Sequence, residues 1–97
     1  MNGDFPAALG RFALSRAGRD KGRYYMIVGT EGTEFVLLAD GHHRPIKHPK
    51  RKKLKHLRLQ PERDETIAAQ LQGGQPIYDQ HVRQAISAML EGKAGHA

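Results

Sequence analysis

The sequence has 97 residues, which is enough for one small domain and too short for a two-domain enzyme. It contains no cysteine, which excludes disulfides, cysteine-ligated zinc and a thiol nucleophile. Lys and Arg number 16 and Asp and Glu number 10, so the net charge is +6. Residues 1–60 hold 13 of these cations and 5 acids, whereas residues 61–97 hold 3 and 5. The basic first part indicates a surface that binds a polyanion.

The ends and apolar runs of the sequence show no targeting or membrane pattern. Residues 1–6 lack the basic and then apolar layout of a signal peptide. The longest apolar runs, 24–28 and 35–39, hold about five residues each, against the roughly 20 that span a membrane. We therefore expect a cytoplasmic protein that does not bind a membrane.

The first part of the chain is predicted to form short β-strands. Some segments alternate apolar with polar residues, and others are short apolar runs rich in aromatic and β-branched side chains. Turns that contain glycine separate these segments. The predicted strands are 9–15, 24–28, 35–39, a short one at Ile46, and 57–59. Tyr24 and Tyr25 face opposite sides of their strand, so one is expected in the core, and the other packs or stacks on a base.

After Pro61 the apolar pattern takes the helical period. Ile67, Ala68 and Leu71 share one face of a helix that starts near Asp64 and ends at Gly73. A second helix, ended by Gly92, is predicted by an apolar stripe formed by Tyr78, Val82, Ala85, Ile86 and Met89. The chain thus divides into a flexible lead-in (1–8), a β-domain (9–60) and a helical C-terminal extension (61–97). The stripe of the extension packs on the β-domain or binds a protein partner.

Two segments carry most of the cations. Residues 44–58 hold eight Lys and Arg, and no acid occurs between Gly41 and Pro61. Leu54, Leu57 and Leu59 interrupt this run, so we expect its cations to be held on a fixed surface that contacts phosphates. The loop 16–23 adds four cations and glycines that let the backbone approach a phosphate. Replacing residues 50–53 by alanine would leave the apolar residues of this segment in place. We therefore expect such a variant to fold. The alternative is a solvated charged loop for residues 44–58 and a plain β-turn for residues 16–23.

Other chemistries find little support in the residues. The histidines at 42, 43, 48 and 56 lack the ligand spacing of a metal site. No nucleophile stands beside a general base in any motif. We therefore predict no catalytic residue, no metal, no cofactor and no small-molecule substrate.

Residues 10–22, followed by 25–28, resemble a KOW motif, which consists of a strand, a glycine-bearing loop and a second strand within an SH3-like barrel. The continuation, 38–41 and 49–57, is similar to the short bacterial KOW-domain RNA-binding proteins. These in turn resemble a KOW-type large-subunit ribosomal protein of archaea and eukaryotes. Phe12 departs from the smaller β-branched residue expected at its place in the motif.

The resemblance implies a mainly β fold, an SH3-like small barrel followed by the helical extension. It also implies a protein that is not an enzyme and binds structured RNA, most plausibly ribosomal RNA or the ribosome, through its basic loops. Together with the two basic segments it assigns RNA binding to Arg16, Gly18, Arg19, Lys21, Arg23, Arg44, Lys47, Lys50, Arg51, Lys52, Lys53, Lys55 and His56. The alternatives are a DNA- or transcription-associated KOW module and an SH3-like protein-interaction adaptor, which would need an exposed aromatic groove.

Overall fold

A computed structural model of the protein describes residues 8–94. Nearly all of the lead-in at 1–8, and the last three residues of the helical extension, lie outside the described residues. Five strands precede two helices, in the order β1 (Arg11–Ser15), β2 (Tyr24–Glu31), β3 (Phe35–Ala39), β4 (Lys50–Lys53), a 3₁₀ turn (Leu54–His56), β5 (Leu57–Arg63), α1 (Glu65–Gln72) and α2 (Asp79–Ala94).

The strands form one antiparallel sheet in the order β4-β3-β2-β1-β5. The mainly β architecture with helices at the C-terminal end is therefore confirmed. β4 and β5 are the two edges, and within residues 8–94 no strand pairing closes the sheet between them.

Both faces of the sheet are buried, which explains the continuous apolar run of β2. Tyr25 and Ile27 belong to a cluster built from the strands and Ala8, whereas Met26 belongs to a second cluster with side chains of both helices. A strand covered on both faces lacks the apolar–polar alternation of a half-exposed one. The second cluster comprises Phe12, Met26, Ile67, Val82, Ile86 and Met89. The large side chain of Phe12 thus packs towards the helices, and the helical extension is part of the core.

The helices largely follow the sequence pattern. Asp64 caps α1, since its Oδ1 accepts a hydrogen bond from the backbone N–H of Ile67 at 2.9 Å. The stripe of α2 packs as predicted except for Tyr78, which precedes the helix and is 58% exposed. α2 also continues beyond Gly92 to Ala94, so the predicted stop is wrong.

Two strand predictions need correction. Ile46 lies in a loop, and the fourth strand is the cationic segment Lys50–Lys53. β5 continues through Pro61 to Arg63, so the proposed boundary at residue 60 falls inside a strand. Proline is tolerated there because β5 is an edge strand, and its pairing with β1 shifts register between Arg11 and Ala13.

The loop after β3 is fixed to the start of α2. The backbone N–H of Ile46 donates to Oδ1 of Asp79 at 2.8 Å, and Nη1 of Arg83 donates to the carbonyl of Gly41 at 2.6 Å. Gly41 has φ +76°, and a Cβ there would press into the carbonyl oxygen of Asp79 and lie 2.9 Å from Cγ of Arg83. Only glycine allows this approach of loop and helix.

Gly41→Ala should therefore destabilise the fold more than Gly22→Ala, a matched control whose φ is +91° and whose added Cβ meets nothing within 4 Å. The left-handed backbone costs about 1 kcal/mol in each variant. The clash with α2 adds about 1–3 kcal/mol in Gly41→Ala alone. Chemical denaturation of both variants measures the difference, and equal free energies of unfolding would show that the helix does not constrain this loop.

Candidate nucleic-acid interface

A buried ion-pair network centred on Asp20 organises the β1–β2 loop. Oδ1 of Asp20 accepts hydrogen bonds from Nζ of Lys52 at 2.6 Å and from the hydroxyl of Ser15 at 2.7 Å. Its Oδ2 lies 2.9 Å from Nζ of Lys50. Lys52 also donates to Oγ of Ser15 at 2.8 Å and to the carbonyl of Ala17 at 2.7 Å. Each of the three N–H groups of the Lys52 ammonium thus has an acceptor.

The network keeps Asp20 ionised although its side chain is only 7% exposed. Burial by itself would raise the pKa of Asp20. Hydrogen bonds from Lys52, Ser15 and Lys50, with the charge of Lys50, outweigh burial and hold the pKa of this carboxyl well below its usual range. Burial, and to a smaller extent the nearby Asp20 carboxylate, raise the pKa of the Tyr25 phenol to about 12. Tyr25 therefore stays a neutral hydrogen-bond donor at physiological pH.

The four cations of β4 divide between two sides of the strand. Lys50 and Lys52 reach Asp20, whereas Arg51 and Lys53 lie 3.5 Å and 5.6 Å from the centroid of the Phe35 ring. Arg51 also pairs with Glu31 at 2.5 Å. The four do not form a single cationic surface. Because Lys52 is buried and neutralises Asp20, we now expect replacement of all four by alanine to destabilise the fold, in contrast to the expectation from the sequence.

A cleft of about 260 Å³ opens beside Asp20. We call it the basic cleft, and it is lined by Arg19, Asp20, Arg23, Tyr25, His43, Arg44 and Lys50. It joins the β1–β2 loop to the loop after β3 and the start of β4, which the sequence separates by 20 residues or more. Within residues 8–94, Arg19, Arg23 and Arg44 form no ion pair. Three arginines without an ion pair thus line the same cleft as a carboxylate that two lysines already neutralise.

The loop that carries Arg44 is held by its own hydrogen bonds. Oδ1 of Asp40 accepts from the backbone N–H groups of His42 and Arg44, both at 2.8 Å. The backbone N–H groups of Asp40 and Gly41 donate in turn to the carbonyl of Arg44, at 3.0 and 3.2 Å. An aspartate that bonds backbone donors two and four residues later closes a tight turn. Together with the attachment to α2, this turn fixes the wall of the basic cleft.

The remaining predicted residues take different places. Five are exposed around the loops: Arg16, Lys21, Lys47, Lys55 and His56. The backbone N–H of Arg16 donates to the carbonyl of His56 at 2.9 Å, which places the 3₁₀ turn next to the β1–β2 loop. Gly18 has φ +85°, so its backbone conformation accounts for the glycine. Lys53 is half-buried, and Lys52 is turned into the protein.

Sequence reasoning missed three contributors to the interface. Asp20 organises it, His43 lines it, and Arg83 of α2 holds its loop. A signal for Asp20 was present, because it is the single acid among the four cations of residues 16–23. Nothing in the sequence pattern marked Arg83.

The described residues show no group of three or more His, Asp or Glu side chains that could hold a metal ion. Between residues 8 and 94, no helix has the length and apolar character needed to cross a membrane.

Lys52→Ala should destabilise the fold far more than Lys53→Ala. The first leaves Asp20 and Ser15 buried without their partner, and breaking a buried ion pair costs about 3–5 kcal/mol. The second removes a half-buried cation beside Phe35 and should cost about 1 kcal/mol or less. Denaturant unfolding monitored by circular dichroism measures both. Similar losses in the two variants would contradict the structural role of Lys52.

Asp20 should also make the stability depend on acid. Its folded-state pKa lies below the unfolded value of about 4, so protonation favours the unfolded chain. The contribution is present above that unfolded value, and the free energy of unfolding should fall as the pH decreases from about 5 towards 2. Asp20→Asn should lower stability at pH 7 and flatten this decline. Unfolding curves recorded across that range test it, and parallel pH profiles of the two proteins would refute the assignment.

Comparisons with known proteins add no family to this geometry. The sequence matches no family model, and no curated protein matches it significantly. The functional proposal accordingly depends on the side chains described above and on the KOW resemblance of the sequence.

Proposed function

We propose that this protein is a non-catalytic RNA-binding protein with an SH3-like, KOW-type β-domain, and that it binds structured RNA of the ribosome through the basic cleft. The observation that carries the proposal is that Arg19, Arg23 and Arg44, which come from two separate loops, line one cleft. None of the three forms an ion pair within residues 8–94. Five antiparallel strands support a mainly β domain of this kind, and within residues 8–94 their sheet is open between β4 and β5.

The basic cleft suits a phosphate group. A guanidinium presents a planar set of N–H donors that matches two phosphate oxygens, and it stays charged at any physiological pH. The Asp20 network and the Asp40 turn hold the backbones of the two loops, so little backbone conformational entropy is lost when a phosphate binds. The exposed cations around the cleft add further contacts, each of which releases counterions from the nucleic acid.

The aromatic residues favour nucleic acid over a peptide adaptor. An adaptor needs an exposed aromatic groove, but Phe12 and Tyr25 are buried and Tyr24 packs against the second cluster. Phe35 is covered by Arg51 at 3.5 Å. Tyr78 is the exposed large aromatic side chain of the described residues, and its ring packs edge-on against that of His81 at 5.7 Å, away from the other tyrosines and phenylalanines. The KOW resemblance favours RNA over DNA.

The proposal predicts a strong salt dependence carried by the cleft. With about six phosphate contacts, log K against log salt should have a slope near −4 to −5, at roughly −0.7 to −0.9 per contact. Replacing Arg19, Arg23 and Arg44 together by glutamine should weaken binding of a ribosomal RNA fragment about tenfold or more and lower the slope by about 2–3. Titrations at several salt concentrations measure both quantities.

The matched control replaces Arg51, Lys53 and Lys55 by glutamine, which removes the same charge away from the cleft. This control should lose little affinity, because Arg51 already pairs with Glu31 and stacks on Phe35. A loss as large as in the cleft variant would place the interface on the other side of β4. A flat salt response would overturn the phosphate mechanism. Tighter binding to B-form DNA than to A-form RNA would favour the DNA-associated alternative.

A further inference from the structure

A second cleft, of about 400 Å³, adjoins the basic cleft. We call it the α2 cleft, and it is lined by Arg23, Tyr24, Asp40, His42, His43, Arg83, Ile86, Ser87 and Leu90. Arg23 and His43 line both clefts, so the two clefts are neighbours that meet at these two side chains. The volume of the α2 cleft lies within the range of about 300–1,000 Å³ that ligand sites occupy.

The α2 cleft differs in chemistry from its neighbour. Tyr24, Ile86 and Leu90 give it an apolar wall, and Leu90 remains 36% exposed although it stands on a helix that packs into the core. Polar side chains also line the α2 cleft, among them Asp40 and Ser87. The backbone bonds to Oδ1 of Asp40 fix that carboxylate on the wall, and the hydroxyl of Ser87 comes from α2. A flat, mostly apolar group with polar edges fits such a lining.

We propose that the two clefts together bind one unstacked nucleotide of the RNA, with its phosphate in the basic cleft and its base in the α2 cleft. A nucleotide is the ligand whose two halves match these compartments, because its phosphate is anionic and its base is planar with hydrogen-bonding edges. Bases inside a helix are stacked and paired, whereas bulged and loop bases can enter a protein cleft. The proposal rests on the proposed RNA binding and adds to it a preference for an unpaired base.

The test uses the full chain and three RNA hairpins with the same stem sequence, each closed by a non-nucleotide linker so that the loop offers no unpaired base. One carries a single unpaired nucleotide in its stem, one carries an abasic residue at the same point, and one is fully paired. The abasic residue keeps the bulged backbone and its phosphate but lacks the base. We expect the bulged hairpin to bind about five- to tenfold more tightly than the abasic hairpin, as a stacked base contributes in other single-strand sites. Each of the four nucleotides is placed in the bulge in turn.

Two leucines of similar exposure provide the matched variants. Leu90 lines the α2 cleft and is 36% exposed, whereas Leu59 on β5 lies outside both clefts and is 38% exposed. Leu90→Ala should bring the bulged and abasic hairpins within about twofold of each other, the loss expected when the base contact is worth about 1 kcal/mol. Leu59→Ala should keep the preference. Ser87→Gln, which fills the cleft from an exposed position, should repeat the effect of Leu90→Ala.

The outcomes separate this inference from the proposed function. If the bulged, abasic and paired hairpins bind equally and with a steep salt dependence, the base site is refuted while RNA binding through phosphates stands. If Leu59→Ala abolishes the preference as fully as Leu90→Ala, the base binds elsewhere and the inference is also refuted. If none of the hairpins, nor a ribosomal RNA fragment, binds, both proposals are overturned.

Discussion

The carboxylate of Asp20 is the constraint on which the cationic side of the protein depends. The loop that contains it holds four Lys and Arg, and the strand opposite holds four more, so these segments would repel each other without an internal anion. Oδ1 of Asp20 lies 2.6 Å from Nζ of Lys52, and Oδ2 lies 2.9 Å from Nζ of Lys50. One buried negative charge thus joins β4 to the β1–β2 loop. This contact holds the backbone of the loop that carries Arg19 and Arg23.

The helices complete the arrangement from the other face of the sheet. They bury Phe12 and Met26, and their contacts with the loop after β3 hold the backbone that carries Arg44. Residues 61–97 have a net charge of −2, yet their helix α2 supplies one wall of the α2 cleft and holds a basic loop. The contribution of the helices to the proposed interface is therefore mainly geometric. Charge by itself would have placed the helices outside the interface.

The pattern of apolar residues made much of the fold predictable from the sequence. The elements built from charged residues were harder to predict. β2 and β3 were predictable from short continuous apolar runs, and both helices from apolar side chains at helical spacing. β4 was not, since its four residues are all cations and their alternation is visible only through two partners distant in sequence, Asp20 and Phe35. For the same reason, composition gave the two basic segments but not which cations share a cleft. The bulk of Phe12 also made sense only once the helices were seen to cover it.

The cationic character of β4 has a consequence for how molecules of this protein meet. An edge strand offers unpaired backbone groups to any other strand, and lysine on such an edge discourages pairing. If two copies approached along β4, the pairing strands would each be only four residues long, from Lys50 to Lys53, and would consist of lysine and arginine alone. The other edge, β5, contains Pro61, which withholds a backbone donor. The open sheet therefore carries its own protection against strand-to-strand polymerisation at both ends.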